Sequence, residues 1–234
     1  MGVNMRKRRS IILQLLLVGI ILASMFLVIM ISTNEKLEKQ KPAIYTSLED
    51  FKTKKVTEAY KNMLYNVDKK VQLEIDEQEL NDLIAIAIQD YEKRANAVVI
   101  NGYSSQIATD VMTIRLDSKL LNLVPTQYVL KIKPSIEDNK LRLFVSEFKV
   151  GKISINPQTI LKQIKASDKG EYYVDLKQQS IVLENKYSQQ IILNDITLKQ
   201  GTVSMNIELS IKNVKDLINV LGKLLPEGLQ GLVE

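Results

Sequence analysis

The chain has 234 residues, with 32 basic and 27 acidic side chains, a formal net charge of +5, and neither a cysteine nor a histidine. Those two absences exclude a thiol nucleophile, a histidine-assisted serine triad, thiolate and imidazole zinc sites, and any disulfide. Four of the bases, Arg6, Lys7, Arg8 and Arg9, fall within the first 32 residues, which hold no acid; taking those four from 32 leaves 28 bases against 27 acids, so no nucleic-acid partner is expected.

Directly behind that basic cluster, Ile11 to Ile31 reads IILQLLLVGIILASMFLVIMI and carries no charge. A helix of this length reaches roughly 30 Å, the thickness of a bilayer's hydrocarbon core, and satisfies its own backbone amides there. Flanking bases are retained on the cytoplasmic side, so a single-pass protein of the bacterial plasma membrane is expected, amino terminus inside and the bulk extracytoplasmic. The run is longer than a signal-peptide core. Met25 and Met30 also stand where cleavage wants a small residue, so the segment reads as an uncleaved signal-anchor. The expected division is a cytoplasmic start at 1–10, a transmembrane helix at 11–32, a stalk at 33–46, one domain at 47–226 and a loose tail at 227–234. The stalk, TNEKLEKQKPAIYT, is polar and broken by Pro42, as a segment lifting the domain off the headgroups would be.

Ser47 and Asp50 open a helix from Leu48 to about Leu64. Val71, Leu73 and Ile75 alternate as a short strand. Asp76 and Glu79 then form a capping box for a helix whose stripe is Leu80, Leu83, Ile84, Ala87, Ile88 and Tyr91. After Arg94 the apolar period drops from 3.6 to 2. NGYSS, Asn101 to Ser105, reads as a turn. Met112, Ile114 and Leu116 alternate, then Tyr128, Leu130 and Ile132, and a turn at Asp138 and Asn139 leads into Leu141, Leu143 and Val145. Phe144, Phe148 and Val150 take the opposite parity, so this strand is buried on both faces or a bulge shifts its register. Asn156 and Pro157 open a short helix through Ile160, Leu161 and Ile164. Short strands at Tyr173 to Leu176 and Ile181 to Leu183 follow. Ile191, Leu193, Ile196 and Leu198 precede a turn at Gln200 and Gly201, and Val203, Met205, Ile207, Leu209 and Ile211 alternate without a break. A final amphipathic helix uses Val214, Leu217, Ile218, Leu221 and Leu225. Sequential strands with short turns predict an α+β class: a curved, mainly antiparallel sheet packed on amphipathic helices, behind one membrane anchor.

The string RLFVSEFKVGKISINPQTILKQIK, with IDEQELNDLI before it and ITLKQGTVSMNIEL after it, resembles the YpmS family of Gram-positive bacteria. The resemblance implies a single-pass protein with an outward α+β domain. It brings no catalytic residues, and Asn81 matches a recurrent asparagine without assigned chemistry.

Carboxylates are the strongest acid–base groups in supply. Glu49 with Asp50, Glu77 with Glu79, and Glu137 with Asp138 are the close pairs, but two open helices and one marks a turn. A histidine-free carboxylate hydrolase would need two of them converging across a cleft. Neither a cofactor nor a metal loop is expected. A sheet curving only partly around its helices would leave an apolar groove, with Met112, Ile114, Leu116, Val203, Met205, Ile207 and Leu209 as candidate lining. An ordinary filled core uses the same residues at the same spacing. The expected function is therefore a non-enzymatic, membrane-tethered domain binding a lipid, a lipid-linked precursor or another amphiphile at the cell envelope. The alternative is an interaction or scaffold module holding another envelope protein.

Overall fold

A computed structural model of the chain describes residues 20, 22–32, 36–39, 41–65, 70–94, 99–120, 123–166, 172–185, 188–189 and 191–209. The first half of the expected anchor, the last predicted helix from Val214 to Leu225, and the tail lie outside the described residues. Residues 22–31 are helical and form the described part of α1. Its side chains Met25, Phe26, Leu27, Val28 and Ile29 are all exposed. Five consecutive positions at 100° each cover the whole circumference, so among the described residues nothing packs on any side of this apolar surface. Among the described residues no helix is long and apolar enough to cross a membrane.

Helix α2 spans Leu48–Tyr65 and α3 spans Glu77–Arg94, with strand β1 at Lys70–Asp76 between them. Both helix starts form through the predicted caps. Ser47 Oγ accepts the Asp50 amide at 3.1 Å, while the Glu79 amide donates to Asp76 at 2.8 Å and Glu79 accepts the Asp76 amide in return at 3.2 Å. Strands β2 (Ile100–Ile107), β3 (Met112–Leu120), β4 (Val124–Glu137) and β5 (Lys140–Val150) follow as an antiparallel meander. Short β6 (Ile153–Ile155), helix α4 (Pro157–Ala166), β7 (Tyr172–Asp175) and β8 (Ser180–Leu183) come next. The chain then forms the hairpin β9 (Ile191–Lys199) and β10 (Thr202–Leu209).

Two sheets result, both antiparallel in every pairing. The larger runs β2-β3-β4-β5-β8-β7, with β6 pairing the part of β5 that β8 leaves free; the smaller runs β1-β10-β9. The α+β class therefore stands as read, but the strands divide between two sheets.

Bulges resolve the parity conflicts in the sequence except at Phe144, which pairs with Lys133 and stays on the opposite face. In β5, Lys131 pairs with Glu147 but Ile132 pairs with Val145, leaving Ser146 as the extra residue. Phe148 and Val150 thereby join Val145, Leu143 and Leu141 on one face. In β9, Asn206 faces Asp195 but Ile207 faces Leu193, so Asn194 plays the same part and Ile191 and Leu193 share a face with Ile196 and Leu198.

One face of the large sheet carries the core. Helix α3 covers its β2 end through Ala85 and Ile88 on Ile100, Tyr103 and Leu116. Helix α4 covers its other end through Leu161 and Ile164 on Val145, Val174, Leu130 and Ile181. The small sheet packs Val203 and Leu198 onto Ile107 and Met112. The opposite face is mostly polar, with Glu147 bridging Lys131 and Lys149 at 2.6 Å each.

Candidate functional site

Helix α1 ends against the large sheet. The Lys152 amide donates to the Met30 carbonyl at 2.8 Å, and Ser32 forms a β-bridge with Thr126, which is only 1% exposed. Gly151 allows this approach. Its φ is +59°, and a Cβ there would overlap the Ile31 carbonyl. The Gly151 amide donates in turn to Gln127 at 2.7 Å, so the joint is tied to both β4 and β5.

The expected stalk does not stand free. Its described residues run over the domain as a belt. The Leu37 amide donates to Asp117 at 2.6 Å, and the Glu38 carbonyl accepts the Tyr103 amide at 3.4 Å. Asp117 and Gly102 project to the face opposite Leu116 and Tyr103, so the belt crosses the polar face and then rounds the β2 edge. It finishes on α3, where Asp82, 4% exposed, accepts the amides of Ala43, Ile44 and Tyr45 at 3.0, 2.6 and 3.0 Å. The polar composition suggested a solvated tether. A backbone held by buried carboxylates, however, needs no apolar side chains of its own.

The reading of Asn101–Ser105 as a turn is overturned for the same reason. These residues form the edge strand β2, and Gly102 is there because a Cβ would overlap the Leu37 carbonyl. The outward amides of this edge are all taken. Tyr103 donates to Glu38, Ser105 to Asn81 at 2.8 Å, and Ile107 to Glu77 at 2.7 Å. Asn81 and Glu77 thus close an edge that would otherwise invite another strand.

The remaining carboxylate pairs also have structural partners. Glu49 binds Lys52 at 2.7 Å on the α2 surface, and Asp50 accepts the Thr46 amide at 2.9 Å. Glu137 binds Arg142 at 2.9 Å, while Asp138 and Asn139 take positive φ in the β4–β5 turn. Glu79 binds Lys55 at 2.8 Å and the Tyr45 hydroxyl. Burial opposes the Glu79 charge, but Lys55, Tyr45 and the Asp76 amide outweigh it and hold the carboxyl below its usual range. Burial together with this carboxylate pushes the Tyr45 hydroxyl up. Among the described residues, no three acidic side chains gather as a metal site requires.

The seven candidate lining residues do not form one groove. Met112 and Val203 meet inside one packed cluster, Leu116 packs under α3, and Met205 and Ile207 pack with Val71 and Ala59 under α2. The side chain of Leu209 lies outside the described residues. Ile114 alone stays outside these clusters, and it leads to a different surface.

Pairing aligns Ile114, Leu130, Phe148 and Ile155 in one row across the sheet, and Leu116, Tyr128, Val150 and Ile153 in the next. All eight are half-buried. Leu116 and Leu130 touch the flanking helices, but Ile114, Tyr128, Phe148, Val150, Ile153 and Ile155 belong to none of the packed clusters among the described residues. Tyr128 and Phe148 stack with centroids 6.4 Å apart and planes at 22°. Burial pushes the Tyr128 hydroxyl up, as an apolar surround should.

Compared with models of known families, with characterised proteins and with solved structures, the chain matches none.

The strip's position is what distinguishes it from ordinary surface. Tyr128 is two residues along β4 from Thr126, the partner of Ser32, and Leu130 is two further. At about 3.3 Å per residue Tyr128 and Leu130, the β4 members of the two rows, lie about 7 and 13 Å along the strand from Thr126, where α1 enters the domain. The sequence missed this strip because the Ser146 bulge decides on which face Phe148 and Val150 emerge.

Proposed function

We propose that this is a single-pass, extracytoplasmic protein of the bacterial plasma membrane whose domain takes an acyl chain of a membrane amphiphile onto the apolar strip, without chemical turnover. The observation that carries the reading is the strip itself: six apolar side chains between α3 and α4, unclaimed by any packed cluster among the described residues, beginning one strand repeat from the anchor's entry. Half-buried apolar area of this kind gains roughly 25 cal/mol for each Å² covered, and an acyl chain is the apolar partner nearest to hand. The all-round apolar surface of residues 22–31 and the basic cluster before the anchor support the membrane topology. The proposal is consistent with the resemblance to the YpmS family, whose implied layout is the same.

The test uses the full chain in vesicles containing a phospholipid with a photoreactive diazirine near the end of one acyl chain. Irradiation followed by peptide mapping is expected to label the Phe148–Ile155 segment and Tyr128 as well as the anchor. Phe148→Asp, checked for an unchanged circular-dichroism spectrum, is expected to lose the domain label and keep the anchor label. Labelling confined to residues 11–31 would overturn the proposal. So would recovery of the domain label on the chain's own Val214–Leu225 segment in place of the strip.

A further inference from the structure

Two of the exposed apolar residues that neither the core nor the strip uses lie at the end of the sheet where α1 enters. Leu123, immediately before β4, is 80% exposed, and Val99, immediately before β2, is 59% exposed. They are the two most exposed large apolar side chains described outside α1. Their placement follows from the pairings. Ile100 faces Ser118, Ser118 faces Thr126, and Thr126 bridges Ser32; the Ser118 hydroxyl also donates to the Val99 carbonyl at 3.0 Å. Leu123 stands three residues from Thr126, so at about 3.3 Å per residue it lies within about 10 Å of the residue that bridges Ser32 at the end of α1.

We infer that this rim, led by Leu123 and Val99, is a second membrane contact that dips into the outer leaflet's interfacial zone beside the anchor. The inference rests on the membrane topology proposed above but not on the binding of an acyl chain. An exposed leucine at a sheet end is ordinary when isolated, and here it is not isolated. The headgroup and interfacial layers together add about 10 to 15 Å to the hydrocarbon core, or roughly 5 to 8 Å on each side, a depth comparable to the Leu123–anchor separation. The joint leaves the domain no slack to stand off from the bilayer, because α1 meets the sheet directly through Met30 and Ser32. Lys36, Lys119 and Lys152 are exposed on the same rim, where cations suit anionic headgroups; Glu38 is the nearby acid on the belt. Two attachments also fix an orientation that one helix would leave free to swivel, and they hold the strip's first row beside the lipid surface.

The chain contains no cysteine, so a single introduced thiol reports one position. Leu123→Cys, Met25→Cys and Ser188→Cys would each be labelled with an environment-sensitive fluorophore in the full chain, in phosphatidylglycerol–phosphatidylethanolamine vesicles. Ser188 is exposed and lies at the opposite end of β4, next to Asn185, whose amide donates to Asn139 at 3.0 Å. The label at Leu123 is expected to emit further to the blue than that at Ser188, to lose emission to acyl-chain nitroxides, and to resist aqueous iodide. A lipid-buried label at Met25 together with an iodide-accessible, nitroxide-insensitive label at Leu123 would overturn this inference and leave the anchor standing. An aqueous label at Met25 would overturn both.

Discussion

Removing the Asp82 carboxylate should release the belt. Asp82 holds the amides of Ala43, Ile44 and Tyr45, which sit 2.6 to 3.1 Å from its oxygens. Hydrogen bonds to a charged acceptor each contribute about 1.5 to 3 kcal/mol net, and an orphaned buried donor costs about 1 to 3 kcal/mol. Ala43 and Ile44 are exposed and can recover water, but Tyr45 is 3% exposed and cannot. Asp82→Ala should therefore cost about 3 to 5 kcal/mol locally, and Asp82→Asn, which keeps one acceptor oxygen, about 2 kcal/mol. The assay is native-state hydrogen exchange on the full chain in nanodiscs. At 1.4 kcal/mol per tenfold, the Tyr45 amide should exchange about 10² to 4 × 10³ times faster in the alanine variant and about thirtyfold faster in the asparagine variant. Unchanged exchange in Asp82→Ala, or a larger effect from asparagine than from alanine, would refute the account of what holds the belt.

Gly151→Ala should loosen the joint between α1 and the domain, because both its positive φ and the Ile31 carbonyl oppose a Cβ. Gly201→Ala, with φ +80° but nothing within 4 Å, should lose only the roughly 1 kcal/mol of backbone strain; urea midpoints in detergent compare the two. Asn81→Ala should destabilise by about 1 to 2 kcal/mol by orphaning the Ser105 amide, whereas Asn81→Asp, which still presents an acceptor, should lose less; thermal unfolding followed by circular dichroism ranks them. Glu79 has its folded pKa depressed by its partners, so its stabilisation is complete above the value of about 4.3 for an unfolded glutamate and is lost as pH falls through the folded value. The urea midpoint should fall between pH 7 and pH 3 in the natural chain, and by less in Glu79→Gln.

Local patterning in the chain carried a good deal of this. The caps at Ser47, Asp76 and Asn156, the alternation of β3, β4 and β10, and the turn at Asp138 and Asn139 all depend on neighbours within a few residues, and each formed where its local chemistry called for it. Whether Asn101–Ser105 is a turn or an edge strand depended on Leu37, more than sixty residues away, because the glycine that permits a turn equally permits a backbone to lie against it. Whether residues 36–45 were stalk or belt depended on Asp82 and Asp117, since a carboxylate near a distant amide leaves no periodic trace.

Composition alone removed thiol and imidazole chemistry, and the uncharged run behind four bases is what first suggests the proposed membrane topology, since hydropathy is a property of one segment in its solvent. Tertiary structure decided where apolar surface is left over. Alternation marks a face as apolar but cannot say what lies on it. The division of strands into two sheets buried most of the residues first suspected of lining a groove, and one extra residue at Ser146 turned Phe148 and Val150 onto the stretch beside α1 that no packed cluster of the described residues claims.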